Sequence, residues 1–395
     1  MNDKTRSFIE QNLHADIRQL ALQGCRDKEV DMPLALSQIA GRQTARRKLP
    51  SWAALDGLLY PPHLNMEQCS SEQTARYKAT IAKRLLSVHA VPTSLVDLTG
   101  GFGVDFAFMS EAFDEATYVE RDAQLFAISS ENFKILVKNV KTVNGDGIDF
   151  LHGLSHATMI FMDPARRDNH GGRTYGIGDC TPNVLEIKDE LLQKADVVML
   201  KLSPMLDWRK AVSDLGEQYV SEVHIVSVQN ECKELLIVLQ QQPSGPFPVY
   251  CVNDDAVFLY HPSSTSSSEI SHLSSFAFLY EPNASIMKAG CFDDVSSAFS
   301  LRQLAHNSHL LVSDQFVADF PGRSFRVLSI SSMNKQEQKK LSQTVSQANI
   351  TVRNFPMTVA ELRKKLKISD GGDTYIFATT LADGQRVLIV CEKAR

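Results

Sequence analysis

Four acids in this 395-residue chain each stand where a short apolar run ends. Asp97 follows Ser94-Leu95-Val96, Glu120 follows Tyr118-Val119, Asp146 follows Lys141–Val143 by way of Asn144-Gly145, and Asp163 follows Met159–Met162. Between the first two acids lies the glycine-rich turn Thr99-Gly100-Gly101-Phe102-Gly103, ahead of a helix-like segment from Val104 to Phe113. Glycines let a backbone approach a ligand closely, and a helix start offers free N–H groups. A carboxylate ending a second strand can accept hydrogen bonds from both hydroxyls of a ribose; one after the third can accept from an exocyclic adenine amine. Singly, each acid reads as well as a helix cap or a surface charge. In register on strand ends of a doubly wound sheet, all four line one crevice, where ligands bind.

The elements that must position them follow from the rhythm of the chain. Apolar runs at Leu95–Leu98, Ala116–Val119, Lys141–Val143, Met159–Met162, Val197–Leu202, Glu222–Val228 and Leu235–Leu239 alternate with amphipathic segments, except between the last two. This predicts an α/β fold: a Rossmann-like, mostly parallel sheet with one antiparallel strand closing a hairpin. Residues 1–90 read as a helical domain, with Ile9, Leu13, Ile17, Leu20 and Ala21 at helical spacing. Ser70, with Gln73 three residues on, reads as the cap of a helix reaching about Val88. The sheet occupies 91–262, and the serine run Ser263–Ser268 marks a loop near a boundary. A second α+β region fills 277–395. There Phe325–Ile330 and Ile350–Asn354 are strand-like, Lys335–Ala348 and Val359–Leu366 helix-like, and Tyr375–Thr380 with Arg386–Cys391 a closing hairpin.

Composition narrows the class of protein. Hydrophobic residues make up 43% and charged residues 22%, an ordinary globular balance. No apolar run approaches the roughly 20 residues that span a bilayer, so no membrane partner is expected. Seven cysteines, scattered and without a C-x-x-C pair, argue against a disulfide framework or zinc site and for a reducing cytoplasm. The net charge of −5 gives no general affinity for nucleic acid, so any such contact rests on local basic patches. Nothing in the sequence names a metal or an obligate protein partner.

The ordered set of glycine turn and four acids over about residues 90–245 resembles the class I S-adenosylmethionine-dependent methyltransferases. A dinucleotide fingerprint would place a third glycine at position 106, where this chain has Phe106. The resemblance implies S-adenosylmethionine as cofactor. Gly100, Gly101, Phe102 and Gly103 would then pack against its methionine part, and Asp97 would order the loop and the cofactor's amino group. Glu120, beside Arg121, would hold the ribose, and Asp146 with Gly145 the adenine.

Asp163-Pro164-Ala165-Arg166 occupies the place of the Asp/Asn-Pro-Pro-aromatic segment of amino-methylating relatives. There the carboxylate and the proline carbonyl accept hydrogen bonds from the target amine, and in-line placement supplies much of the catalysis. The implied catalytic residues are Asp163, Pro164 and Arg166. With the aromatic replaced, Arg166 or Arg167 is free to stack on a base or pair with a phosphate; a structural ion pair is the alternative for Arg166. Lys201 and Ser203, at the end of the fifth run, are expected to face the pocket, and Glu231 and Lys233 either reach the crevice or pair at the surface. Relatives that methylate uracil carbon use a cysteine on a later strand. Neither Cys180 nor Cys232 has that placement, which favours a nitrogen target.

The C-terminal stretch, with Phe355–Lys367 and Asp370–Tyr375, resembles the THUMP-like domain of a bacterial group of these enzymes, over about 323–395. Asp163–Arg166 and Glu67–Lys78 fit the same group. True THUMP domains deliver RNA, so the likeness implies an RNA substrate, tRNA or rRNA. Two basic clusters, Arg42, Arg46, Arg47 and Lys48, and Arg363, Lys364, Lys365 and Lys367, are candidate grips for a polyanion; each also reads as a solvated helix face. A protein or small-molecule acceptor, or a non-catalytic binding module, are the competing expectations.

Overall fold

A computed structural model describes residues 1–86, 92–137, 139–166, 176–262 and 276–394; Arg167 and the serine run 263–268 lie outside them. The chain divides into two compact units, Met1–Glu222 with Leu235–Pro246, and Val223–Glu234 with Phe247–Arg395.

The first unit begins with the predicted helices: α1 (Asp3–Gln11), α2 (Ile17–Gln23), α3 (Met32–Lys48), α4 (Pro50–Ala53), α5 (His63–Gln68) and α6 (Glu72–Leu86). Ile9, Leu20, Ala35 and Ile39 form a small core among the first three. Arg46, Arg47 and Lys48 close α3, where cations favour the negative end of the helix dipole, and the helix stops one residue before Pro50. The start of α6 corrects one expectation. Ser71 is its cap, accepting from the Thr74 N–H at 3.2 Å. Ser70 turns away and donates to Asp105.

The sheet elements follow in order: β1 (Ser94–Asp97), α7 (Val104–Ser110), β2 (Glu115–Glu120), α8 (Ala123–Leu136), β3 (Val140–Asn144), α9 (Gly147–Gly153) and β4 (Ala157–Met162). A two-residue pair, β5 (Ala165–Arg166) and β6 (Cys180–Thr181), precedes α10 (Val184–Lys194), β7 (Ala195–Leu202) and α11 (Trp208–Leu215). The hairpin β8 (Val220–Val228) and β9 (Glu231–Leu239) is divided between the two units. Within the first unit the strand order is β9-β7-β4-β1-β2-β3. β1 pairs in parallel with β2 and β4, β2 with β3 and β4 with β7. β9 runs antiparallel to β7, Val198 opposite Leu239 and Leu202 opposite Leu235. Every residue of β4 is buried, which explains its unbroken apolar run, as expected of a parallel strand covered on both faces. Chain order reverses at β1, between β2 and β4, so the crevice opens at the C-terminal ends of β1 and β4.

In the second unit, β10 (Val249–Asn253) runs parallel to β8 and antiparallel to β11 (Ala256–Tyr260). Beyond it come β12 (Phe278–Pro282), α12 (Ala284–Ala289), α13 (Phe292–Phe299), β13 (Arg302–Gln303), β14 (Leu311–Ser313), β15 (Gly322–Ser332), α14 (Lys335–Thr344), β16 (Asn349–Arg353), α15 (Val359–Leu366), β17 (Thr374–Thr380) and β18 (Arg386–Lys393). Strands β12 to β18 form one sheet in the order β13-β14-β12-β15-β18-β17-β16. Alternate residues of β17 and β18 feed two separate cores, Phe377 with Ile389 and Ile376 with Val390, as the two-residue strand period requires. α15 matches its predicted span, and Thr358 and Glu361 cap it reciprocally.

Candidate active site

The glycine turn after β1 is shaped by the second strand. A Cβ on Gly100 would lie 2.1 Å from the Tyr118 ring, so only glycine fits. Gly101 and Gly103 have φ of +56° and +78°, the left-handed region that favours glycine. The Tyr118 hydroxyl donates to the Gly101 carbonyl. The Gly101 N–H donates to Glu120 Oε2 and the Asp122 N–H to Glu120 Oε1, each at 2.7 Å. Glu120 therefore ties the loop to the end of β2. Phe106 is fully buried, its ring 5.5 Å from Tyr118 and 5.2 Å from Phe133. An aromatic cluster thus fills the space where a dinucleotide fold would bring helix and strand together over a third glycine.

Asp97 is buried at the end of β1, and its Oδ1 accepts from the Thr99 N–H at 2.9 Å. Burial pushes its carboxyl well above the usual carboxylate range; the Thr99 bond opposes this, and the acids Asp105, Asp163 and Glu120 add to it. A carboxyl so placed would be relieved by a ligand's ammonium group. The Cβ side of Gly101 is open, with the Thr99 carbonyl the nearest atom at 3.8 Å. These residues fit an amino acid-bearing nucleoside. Asp146 is exposed and caps α9, its Oδ1 accepting from the Ile148 N–H at 2.8 Å. The Gly145 N–H donates to the Glu120 carbonyl at 3.0 Å, and Arg121 is exposed.

Across the crevice, Asp163 stands just past β4. Its N–H donates to Thr99 Oγ1 at 2.6 Å, and Lys201 Nζ, from β7, donates to its Oδ2 at 2.5 Å. Lys201 also lies 3.7 Å from Asp105 Oδ2. Asp105 Oδ1 is 3.1 Å from Lys78 Nζ of α6, and Ser70 Oγ donates to Asp105 Oδ2 at 2.7 Å. Burial alone would raise the Asp105 carboxyl, but Lys78, Lys201 and Ser70 together hold it below its ordinary value. Pro164 is buried, and Arg166 stands opposite Cys180 in the β5–β6 pair. Cys69, in electrostatic reach of Asp105 and Lys201, is pushed up to about 11, chiefly by burial.

The fold brings Asp97, Gly100–Gly103, Glu120, Asp163 and Lys201 together around the crevice. The sequence reading missed Asp105, Lys78, Ser70 and Thr99. Lys78 had a visible signal: it stands in the apolar stripe of α6 with buried Ala75, Ile81 and Ala82, the spacing of a helix face turned inward. Ser203 is half-buried and accepts from the Met205 N–H at 3.3 Å. The basic clusters are partly spent inside the fold. Arg42 pairs with Asp56, Arg46 donates to His14 at 2.8 Å, Lys48 to the carbonyls of Met66 and Glu67, and Arg363 pairs with Asp370. Arg47, Lys364 and Lys365 are exposed. Glu231 and Lys233 pair with each other at 2.6 Å.

A parallel sheet with its order reversed beside a glycine turn, and acids at successive strand ends, is the architecture of a class I S-adenosylmethionine-dependent methyltransferase. The comparisons agree. A crystal structure described as a "putative methyltransferase" from Porphyromonas gingivalis W83 is 30% identical to this chain, covers all of both chains and superposes with a TM-score of 0.87. The THUMP domain-like family matches residues 322–393, and a ferredoxin-like domain family matches 278–321. The chain belongs to the S-adenosylmethionine-dependent methyltransferases that carry a C-terminal THUMP-like domain. Two further structures are more distant and too dissimilar to bear on this chain. A SAM-dependent methyltransferase from Agrobacterium tumefaciens is 16% identical over 44% of this chain and 63% of its own, with a TM-score of 0.34. An rRNA methylase from Streptococcus thermophilus is 15% identical over 42% of this chain and 96% of its own, with a TM-score of 0.32. No curated protein matches significantly. Among the described residues no helix is long and apolar enough to cross a membrane.

Proposed function

We propose that this methyltransferase acts on a base nitrogen of structured RNA, tRNA or rRNA, with Asp163 and the Pro164 carbonyl as the groups that meet the target amine. The observation that carries this is the position of Asp163. Its side chain is 40% exposed at the crevice, while its backbone is bonded to Thr99 of the glycine turn. Bound S-adenosylmethionine supplies a methyl group already activated on a sulfonium. Asp97, the glycine turn, Glu120 and Asp146 hold the cofactor, with Gly145 and Arg121 beside them. Asp163 and Pro164 accept the N–H hydrogen bonds of the amine, which turns its lone pair toward the methyl carbon. The new N–C bond would form as the methyl–sulfur bond breaks, the sulfonium leaving as a neutral thioether, and the proton that the nitrogen must shed would pass along its hydrogen bond to the Asp163 carboxylate. Arg166, two residues after Pro164, is the candidate in the same segment for contact with the base or its phosphate.

A carbon target would need a thiolate nucleophile. Two cysteines lie near these residues: Cys69, whose pKa is raised to about 11 so that it stays a thiol at neutral pH, and Cys180, which is buried opposite Arg166. RNA as the acceptor is supported by the THUMP-like match at 322–393 and by exposed Arg47, Lys364 and Lys365. The test is mass spectrometry of nucleosides from cells with and without the gene. One methylated nucleoside should disappear on deletion and return with the intact gene. An unchanged RNA profile, with methyl groups appearing instead on protein or small molecules, would overturn the RNA assignment.

A further inference from the structure

We propose that the N-terminal helix α6 completes the catalytic site: Lys78 holds Asp105, which leaves Lys201 to hold and aim Asp163. This rests on the reading of Asp163 as the group that orients the acceptor. Four side chains of alternating charge run from the interior to the crevice. Lys78 is 3.1 Å from Asp105, Asp105 is 3.7 Å from Lys201, and Lys201 is 2.5 Å from Asp163. Side-chain exposure rises in the same order, from 0% at Lys78 through 10% and 12% to 40% at Asp163. The unequal distances carry the argument. Lys201 sits between two acids and is drawn to Asp163, the more exposed one, although a buried carboxylate competes for it. The competition is weak because Asp105 already has the Lys78 ammonium from α6 and the Ser70 hydroxyl from the segment before it. Without Lys78, Asp105 would be a buried acid short of a cation, and Lys201 would be the nearest remedy. Drawing Lys201 inward releases the Oδ2 end of Asp163.

Lys78, Asp105 and Lys201 are positioning residues in this scheme, since none touches the reacting atoms. The placement also explains why a lysine stands in the apolar stripe of α6.

The test does not need the substrate. With aspartate labelled at the carboxyl carbon, the Asp163 resonance is assigned by its loss in Asp163→Asn. Lys78→Met should shift that resonance, and Lys78→Met with Asp105→Asn should return it toward the wild-type position, because the competing acid is gone. Should Lys78→Met fail to fold, Ser70→Ala should give a smaller shift in the same direction. Methyl transfer into RNA purified from cells lacking the gene supplies the second readout. Lys201→Met should lower kcat about 100-fold, the scale of an ångström of misplacement, with cofactor Kd changed less than about threefold. Lys201→Arg should recover part of the loss. An Asp163 resonance indifferent to Lys78→Met and to Ser70→Ala, or not restored in the double variant, overturns the proposal. A wild-type enzyme that transfers nothing to RNA overturns the RNA assignment alone, and the resonance still decides the role of Lys78.

Discussion

Asp97, Glu120 and Asp146 accept from backbone N–H groups of Thr99, Gly101, Asp122 and Ile148, whereas Asp105 and Asp163 are held by the ammonium groups of Lys78 and Lys201. The two sides of one crevice thus use different physics. Backbone donors are fixed when the turn forms, and they leave lone pairs free for hydroxyl or amine donors of a ligand. Ammonium partners neutralise charge but depend on side chains from distant elements, here α6 and β7. The first arrangement suits recognition of a bound nucleoside. The second suits a carboxylate that must keep one orientation while its neighbour reacts.

The largest effect should come from breaking the lysine-held side at its buried end. Lys78→Met should destabilise the protein by about 3–5 kcal/mol in chemical denaturation, the cost of leaving a buried charge unpaired. Lys78→Met with Asp105→Leu should recover much of that, and equal losses in both variants would show that the pair contributes nothing. Next, Asp163→Ala should lower kcat at least about 10²–10³-fold, the scale of removing one oriented hydrogen-bonding group, with little change in cofactor affinity by calorimetry. An active variant would remove Asp163 from the chemistry. On the backbone-held side, Gly147→Ala should cost about 1–3 kcal/mol, as overpacking does, because its Cβ would meet the Leu98 carbonyl oxygen at 2.0 Å. Thermal unfolding would check it.

The smallest effect sharpens the comparison by sign. The Asp97 carboxyl is raised in the fold, so it favours the folded apo protein below the ordinary carboxylate pKa of about 3.9, and that contribution is lost as pH rises through the raised value. Asp105 is lowered, so its contribution is present above that ordinary pKa and is lost as pH falls through the lowered value. Stability curves of Asp97→Asn and Asp105→Asn against pH should therefore differ from the wild type with opposite slopes. Slopes of one sign would erase the distinction between the two sides. At a pH where the raised Asp97 carboxyl still holds its proton, cofactor binding should release it in the wild type but not in Asp97→Asn, measured by calorimetry in two buffers of different ionisation enthalpy.

The same division decides what could be seen in the sequence. Strand ends, glycines and acids of the cofactor side lie within a few residues of one another in each motif, so periodicity and turn chemistry expose them. β4 was visible as an unbroken apolar run and α15 as a helix-like segment, its cap emerging only in the fold. The Lys78–Asp105 pair joins residues from α6 and α7, and Lys201–Asp163 joins β7 to the turn after β4; no local pattern encodes such contacts. Ser70 shows the cost of reasoning locally, since Ser71 does the capping and Ser70 is drawn to a buried acid. The basic clusters are divided for a related reason, Arg47, Lys364 and Lys365 staying exposed while others are engaged. Arg42, Arg46, Lys48 and Arg363 look like a surface grip in sequence, yet each finds an acceptor inside its own unit.

Thr99 serves both sides at once, its N–H donating to Asp97 and its hydroxyl accepting from the Asp163 N–H. One residue, by its backbone on one side and its hydroxyl on the other, therefore ties the end of β1 to the residue that follows β4. Removing that hydroxyl, as in Thr99→Val, should free the backbone of Asp163 from the glycine turn while the N–H bond to Asp97 stays.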